Sequence, residues 1–197
     1  MTNEAANHLV LASQSPRRRQ LLKEAGFDFI VNAPGEDVER NVPAGLEPGE
    51  LVVEAALLKA RFVARQVTAG IVLAADNIAH CASEILGKPT SRQDAKRMLQ
   101  WMSGKRHEVM TGVCLWHRPS DIYQTHLEIS VVGMDELDPT QLETFLDSGG
   151  WQGKAGAFGY QDGLDWVHVE SGLASNVVGL PVERLPHWFE KLAGAIK

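Results

Sequence analysis

Four short stretches of this 197-residue chain carry side chains suited to holding a phosphate or a divalent ion. The first is Ser13-Gln14-Ser15-Pro16-Arg17-Arg18-Arg19. Serine followed by proline suits a helix start, with serine as cap and proline in the first turn. Backbone N–H groups and partial positive charge at such a start attract phosphate, and arginines add charge-assisted, bidentate bonds. The same residues equally describe a capped surface helix with solvated arginines. The second candidate is Asp76, directly after the apolar run Ile71–Ala75. A carboxylate at the carboxyl end of a buried strand lies where open α/β sheets bind ligands, and carboxylates there hold magnesium beside phosphate. The alternative is a turn-forming Asp before Asn77.

The third is Gly87-Lys88-Pro89, where backbone punctuation would hold a lysine as a point charge on a constrained loop. It is not a P-loop, since GxxxxGK[ST] occurs nowhere. Lys59, within a helical pattern, reads on its own as a solvated lysine. The fourth is the segment Gly153–Gln161, with glycines at 153, 156 and 159 that suit close backbone approach to a ligand. Gln161 offers both a donor and an acceptor for a base edge; a tight loop between elements is the plainer reading. His107-Glu108 does not make HExxH, because Thr111 stands at the second histidine position, and no GxSxG elbow is present. The five tryptophans read as core or interface.

These candidates need elements to position them, and the order of periodic segments alternates strand and helix. His8–Ala12 reads as a strand, followed by a helix from Ser15-Pro16 to a stop at Gly26 and a second strand over Phe29–Ala33. A proline-bearing loop spans 34–49. A helix from about Glu50 to Val67 carries Leu51, Ala55, Leu58 and Phe62 at helical spacing. Ile71–Ala75 reads as a buried strand, with Ile78–Ala82 and Ile85–Leu86 as a small ribbon beyond it. Ser91 and Asp94 form a capping pattern before Ala95, Met98, Leu99 and Met102. Val109–Trp116 and Leu127–Val132 are β-rich, Asp138-Pro139 opens a helix that Gly149-Gly150 ends, and Leu164–Val169 is a strand. The last helix starts near Pro181 and is bent or restarted at Pro186. The expected fold class is α/β, a mixed sheet with helices around it.

Composition sets the outer bounds. Apolar residues are 44% of the chain and charged residues 22%, enough core and too little charge for disorder. Nineteen Lys+Arg against 25 Asp+Glu give −6, which excludes broad nucleic-acid binding, so local cations would hold an anion against the global field. Two cysteines, Cys81 and Cys114, make neither a disulfide framework nor a CxxC metal site. With no apolar run of membrane-spanning length and a polar start at Met1–Asn7, the expectation is a soluble, cytoplasmic protein with no membrane partner.

In this order the segments resemble the Maf family of nucleoside triphosphate pyrophosphatases. The resemblance covers nearly the whole chain: LASQSPRRRQLL at 11–22, Lys59 in LLKA, LAAD ending at Asp76, ILGKP at 85–89, AKRMLQWMSGKRHEVMTGV at 95–113, SGGWQGKAGAFGYQ at 148–161 and SNVVGLP at 175–181. It implies an inosine-triphosphatase-like mixed sheet flanked by helices, one Maf-like domain over 1–197 with two lobes around a nucleotide cleft. It implies hydrolysis of a nucleoside triphosphate to monophosphate and pyrophosphate with magnesium or manganese. Asp76 matches the family's catalytic aspartate, Ser13, Arg18, Lys59 and Lys88 its phosphate-handling positions, and Arg17, Asn77 and Gln161 positions tied to base selection. Arginine at 17 and glutamine at 161 look like the branch preferring dTTP and UTP. Glu39, with Glu36 second, is the candidate acidic partner that would share the metal with Asp76. Asn77 departs from the threonine common in that branch. A homodimer is implied by resemblance alone, as is the alternative of a nucleotide-binding regulator of septum formation with little catalysis.

Overall fold

The computed structural model describes residues 8–196, and the side chains of Glu36 and Glu39 lie outside the described residues. Seven strands form one mixed sheet: β1 (Leu9–Leu11), β2 (Phe29–Val31), β3 (Gly70–Cys81), β4 (Glu84–Leu86), β5 (Arg106–Arg118), β6 (Tyr123–Met134) and β7 (Val167–Ser171). Their order is β2-β1-β3-β5-β6-β7, with β4 paired to β3. β1 runs parallel to β2 and β3, whereas β3–β4 and β6–β7 are antiparallel. Helices flank the sheet: α1 (Pro16–Glu24), α2 (Pro48–Ala64), α3 (Arg92–Met102), α4 (Pro139–Asp147), the short α5 (Ala174–Val178) and α6 (Leu185–Ile196). No described helix is long and apolar enough to cross a membrane.

The chain divides into two compact units. The first comprises the described residues up to Asp76, Thr111–Glu128 and those from Gly179 on; the second comprises Asn77–Met110 and Ile129–Val178. In the first, the two-residue period of the strands sorts side chains onto two cores. Leu9, Leu11, Leu73, Ala75, Val113 and Leu115 pack with Leu22 of α1 and with Leu185, Trp188 and Leu192 of α6. Val10, Ala12, Val72, Ala74, Cys114 and Trp116 pack with Ala56, Ala60, Val63 and Ala64 of α2. In the second unit, Ala95, Met98, Leu99 and Met102 of α3 share a core with Ala79, Leu86, Leu142, Leu146, Phe158 and Trp166.

Local chemistry explains the helix ends. Ser15 caps α1 by accepting from Arg18 N, and Pro16 stands in its first turn. Gly26, at φ 79°, ends it in a left-handed conformation, with Gly26 N donating to Lys23 O and Phe27 N to Leu22 O. Asp138 caps α4 through two backbone N–H groups.

Three expectations are corrected. The loop over 34–49 contains a 3-10 turn at Glu36–Asn41, and α2 begins at Pro48. Ile71–Ala75 does not end at Asp76: β3 runs unbroken to Cys81, because pairing with β4 holds Ile78–Cys81 extended. The stripe of α2 that faces the sheet is Val52, Ala55, Ala56, Lys59, Ala60 and Val63, not Leu51, Ala55, Leu58 and Phe62. Phe62 is exposed. Small residues face the sheet because the backbones approach closely: a Cβ on Gly112 of β5 would lie 2.2 Å from Val52 O. Among the tryptophans, Trp116, Trp166 and Trp188 are buried as expected, while Trp101 is exposed, with the Lys105 ammonium 4.1 Å over its ring.

Candidate active site

The rotated stripe of α2 gives Lys59 its place. Ala74 faces the α2 side of the sheet, so by the two-residue period Asp76 faces it too. Lys59, 6% exposed, reaches across and donates from Nζ to Asp76 Oδ1 at 2.6 Å. Asp76 keeps more solvent access, 22% of its side chain against 8% for Lys59. The solvated reading of Lys59 is thereby overturned: the helix places this lysine among its sheet-facing alanines.

The start of α1 follows β1. Leu11 of β1 pairs with Leu73 of β3, and Ala12 N donates to Leu73 O at 2.8 Å. Ser13 is buried; its Oγ accepts from Arg18 Nη1 at 3.1 Å and from Ser15 N at 3.2 Å. Arg18 is buried as well, and its Nε donates to Gly179 O at 2.8 Å. Of the three arginines it alone is buried; Arg17 is half-buried, and Arg19 is exposed and donates to Gln14 O. The first unit thus carries Ser13, Arg17, Arg18, Lys59 and Asp76.

The second unit begins at Asn77 and carries the remaining candidates. The β3–β4 ladder pairs Ala79 with Leu86, the strand end from which Gly87 and Lys88 continue. Lys88 is exposed. The glycine-rich loop is tied to the residue before it: Gly156 N donates to Gly87 O at 3.0 Å. Gly156 adopts φ 68°, and a Cβ there would lie 3.0 Å from Ala79 Cβ, so glycine is required on two counts. Gln161 lies in the 3-10 turn Tyr160–Asp162, exposed, its Nε2 donating to Asp162 Oδ1 at 3.2 Å. Asp162 also pairs with Lys154. Neither Lys154 nor Asp162 was singled out from the sequence; the signal was the carboxylate next to Gln161.

His107 also escaped notice as more than a failed motif. It is 2% exposed, packs edge-on to Phe158 at 5.4 Å, and neither ring nitrogen has a partner among the described residues. Burial pushes its pKa down to about 4, so it is neutral at pH 7. The Cys114 thiol is pushed up to about 12 by burial and stays protonated; both cysteines are free and buried.

A sequence model of the Maf-like protein family matches residues 8–192. The chain belongs to the Maf family. Its relatives include dTTP/UTP pyrophosphatases of Rhodopirellula baltica, 45% identical over 92% of this chain and 81% of that protein, and of Ruminiclostridium cellulolyticum, 39% identical over 94% and 96%. A third, the dTTP/UTP pyrophosphatase of Methanosarcina barkeri, is 36% identical over 95% of both chains. A HAM1 protein from Coxiella burnetii superposes with a TM-score of 0.44 at 18% identity, over 72% of this chain and 98% of that one, a distance that assigns neither fold nor activity.

The donor chemistry of this Maf chain suits a divalent ion. Asp76 offers hard oxygen, and magnesium takes one or two carboxylates and completes its shell with substrate phosphates and water. Among the described residues no three His, Cys, Asp or Glu side chains form a metal cluster of their own. The two acidic partners named from the sequence, Glu39 and Glu36, lie in the 3-10 turn before α2, and their side chains are outside the described residues.

Proposed function

We propose that this chain hydrolyses dTTP and UTP to the monophosphate and pyrophosphate, the reaction named for its relatives. The single observation that carries the reading is the hydrogen-bonded pair of the buried Lys59 with Asp76, in the same unit as the Ser13–Arg18 start of α1. A carboxylate with one oxygen held by a lysine has a fixed orientation and a second oxygen directed elsewhere. That oxygen would accept a proton from water attacking the α-phosphorus. The Pα–O bond to the bridging oxygen breaks, the electron pair leaves with pyrophosphate, and the water oxygen stays on the monophosphate. Arg18, Lys59 and Lys88 would neutralise the triphosphate, and the N–H groups of α1 add to the same field. Magnesium or manganese, held by Asp76 with Glu39 or Glu36, would neutralise charge on the leaving pyrophosphate. Arg17, Asn77 and Gln161 would read the base.

The test is pyrophosphate release with magnesium from dTTP, UTP, CTP, GTP, ATP and ITP. The expected result is turnover of dTTP and UTP above the others. Tight binding without turnover would point to a regulator, and activity confined to ITP would point to purine house-cleaning; either overturns the proposal.

A further inference from the structure

Three side chains of the second unit converge over the backbone of Gly159. Asp162 forms an ion pair with Lys154, whose side chain is only 13% exposed, and accepts a hydrogen bond from Gln161 Nε2 at 3.2 Å. A Cβ on Gly159 would lie 2.6 Å from Gln161 Nε2, 2.8 Å from Asp162 Oδ2 and 3.0 Å from Lys154 Cδ. The bare glycine is therefore what lets the amide, the carboxylate and the lysine stem share this space.

The pairing settles which way the amide turns. An ionised carboxylate only accepts hydrogen bonds, so Gln161 must present its nitrogen to Asp162. Its carbonyl oxygen, Oε1, is then the atom turned away. We propose that Asp162, anchored by Lys154, is a positioning residue that fixes Gln161 with Oε1 toward the base, and so selects bases whose ring nitrogen carries a hydrogen. Uracil and thymine present N3–H and satisfy that acceptor. Cytosine presents an unprotonated N3, which sets two acceptors face to face. The inference rests on Gln161 being a base-reading residue, as proposed above, and adds the device that gives its amide a direction.

The test compares kcat/KM for UTP and CTP in the native enzyme, Asp162→Ala, Gln161→Ala and the double variant. Asp162→Ala frees the amide to rotate, and the UTP/CTP ratio should fall about tenfold, carried by KM for UTP more than by kcat. Asp162→Glu should recover most of the ratio. In the Gln161→Ala background, Asp162→Ala should change the ratio no further, because the carboxylate acts through the amide. Gly159→Ala removes no functional group but displaces the ends of two flexible side chains, and should lower the same ratio. An unchanged ratio in Asp162→Ala, an equal loss on both nucleotides, or a further fall in the double variant would overturn the positioning role alone. A native protein that turns over neither UTP nor dTTP would overturn the base-reading role of Gln161 as well.

Discussion

Removing either member of the Lys59–Asp76 pair should have unequal effects on stability and a shared effect on turnover. Two unit charges about 4 Å apart attract by about 4 kcal/mol at an effective dielectric of about 20, and desolvating both groups offsets much of that. Breaking a fully buried pair costs about 3–5 kcal/mol, mainly through the charge left behind, whereas a surface pair is worth about 0–1 kcal/mol. Lys59 is the more buried partner. Asp76→Asn replaces the carboxylate facing its ammonium with a neutral amide whose oxygen still accepts from Nζ, so we expect a loss of about 2–3 kcal/mol. Lys59→Met strands a carboxylate that water can reach, and should cost about 1–2 kcal/mol. For a chain of this size each kcal/mol moves the melting midpoint by about 2–4 °C. Asp76→Asn should therefore melt about 4–12 °C lower and Lys59→Met about 2–8 °C lower, as followed by calorimetry.

The double variant separates pairing from coincidence. With both charges gone the lost attraction is counted once rather than twice, so the double loss should be smaller than the sum of the single losses by at least about 1 kcal/mol. Turnover behaves differently: dTTP hydrolysis should fall by about a hundredfold or more in each single variant and stay low in the double. Additive melting shifts would show that the pair is not coupled in the fold. Near-native pyrophosphate release by Asp76→Asn would remove the carboxylate from the chemistry while leaving it a structural role.

Two further outcomes follow from the packing. Gly112→Ala would set a methyl 2.2 Å from Val52 O and 2.5 Å from Val53 N, backbone atoms that no rotamer change relieves; denaturant unfolding should show a loss of about 3 kcal/mol. A native midpoint would show that α2 can shift freely, and would weaken the account of how Lys59 is placed. His107 binds its proton only below about pH 4 when folded but near pH 6.5 when unfolded. Between these values the unfolded chain holds the extra proton, so stability should fall as pH drops through the window, by about 3 kcal/mol in all. His107→Phe should flatten that part of the melting-midpoint curve, and an unaltered slope would place the titration elsewhere.

Much of the frame was legible where one residue's chemistry decides the local backbone. Ser15-Pro16, Asp138-Pro139 and the stripe of α3 gave the helix starts and the buried face that the structure displays. The sequence misled where a neighbouring element decides. Asp76 and Asn77 are poor strand formers and also fit a turn, yet β3 continues through them, paired with β1 before them and with β4 after them. Larger side chains mark a different stripe on α2 from the buried one, because a helix lying close against a sheet buries small residues. That one-residue rotation hid Lys59. Ser13, Arg18 and Asp76 stand out by their local chemistry, whereas Lys59 is marked by resemblance alone, since no periodicity reports that a lysine 17 positions before an aspartate will meet it.

The residues that break local rules in the first unit break them together. A lysine in a stripe of alanines and an aspartate inside a buried strand are each unfavourable alone, and an apolar pair of similar volume would commonly be no less stable. Local conflicts of that kind are expected at functional sites, where stability is given up for chemistry. Here the two conflicts resolve each other at 2.6 Å. The same unit buries a second cation, Arg18, whose guanidinium donates to Ser13 Oγ and to the Gly179 carbonyl. A site for a polyanion needs cations held in fixed positions, and the Ser13 hydroxyl and Gly179 carbonyl hold the Arg18 guanidinium in one.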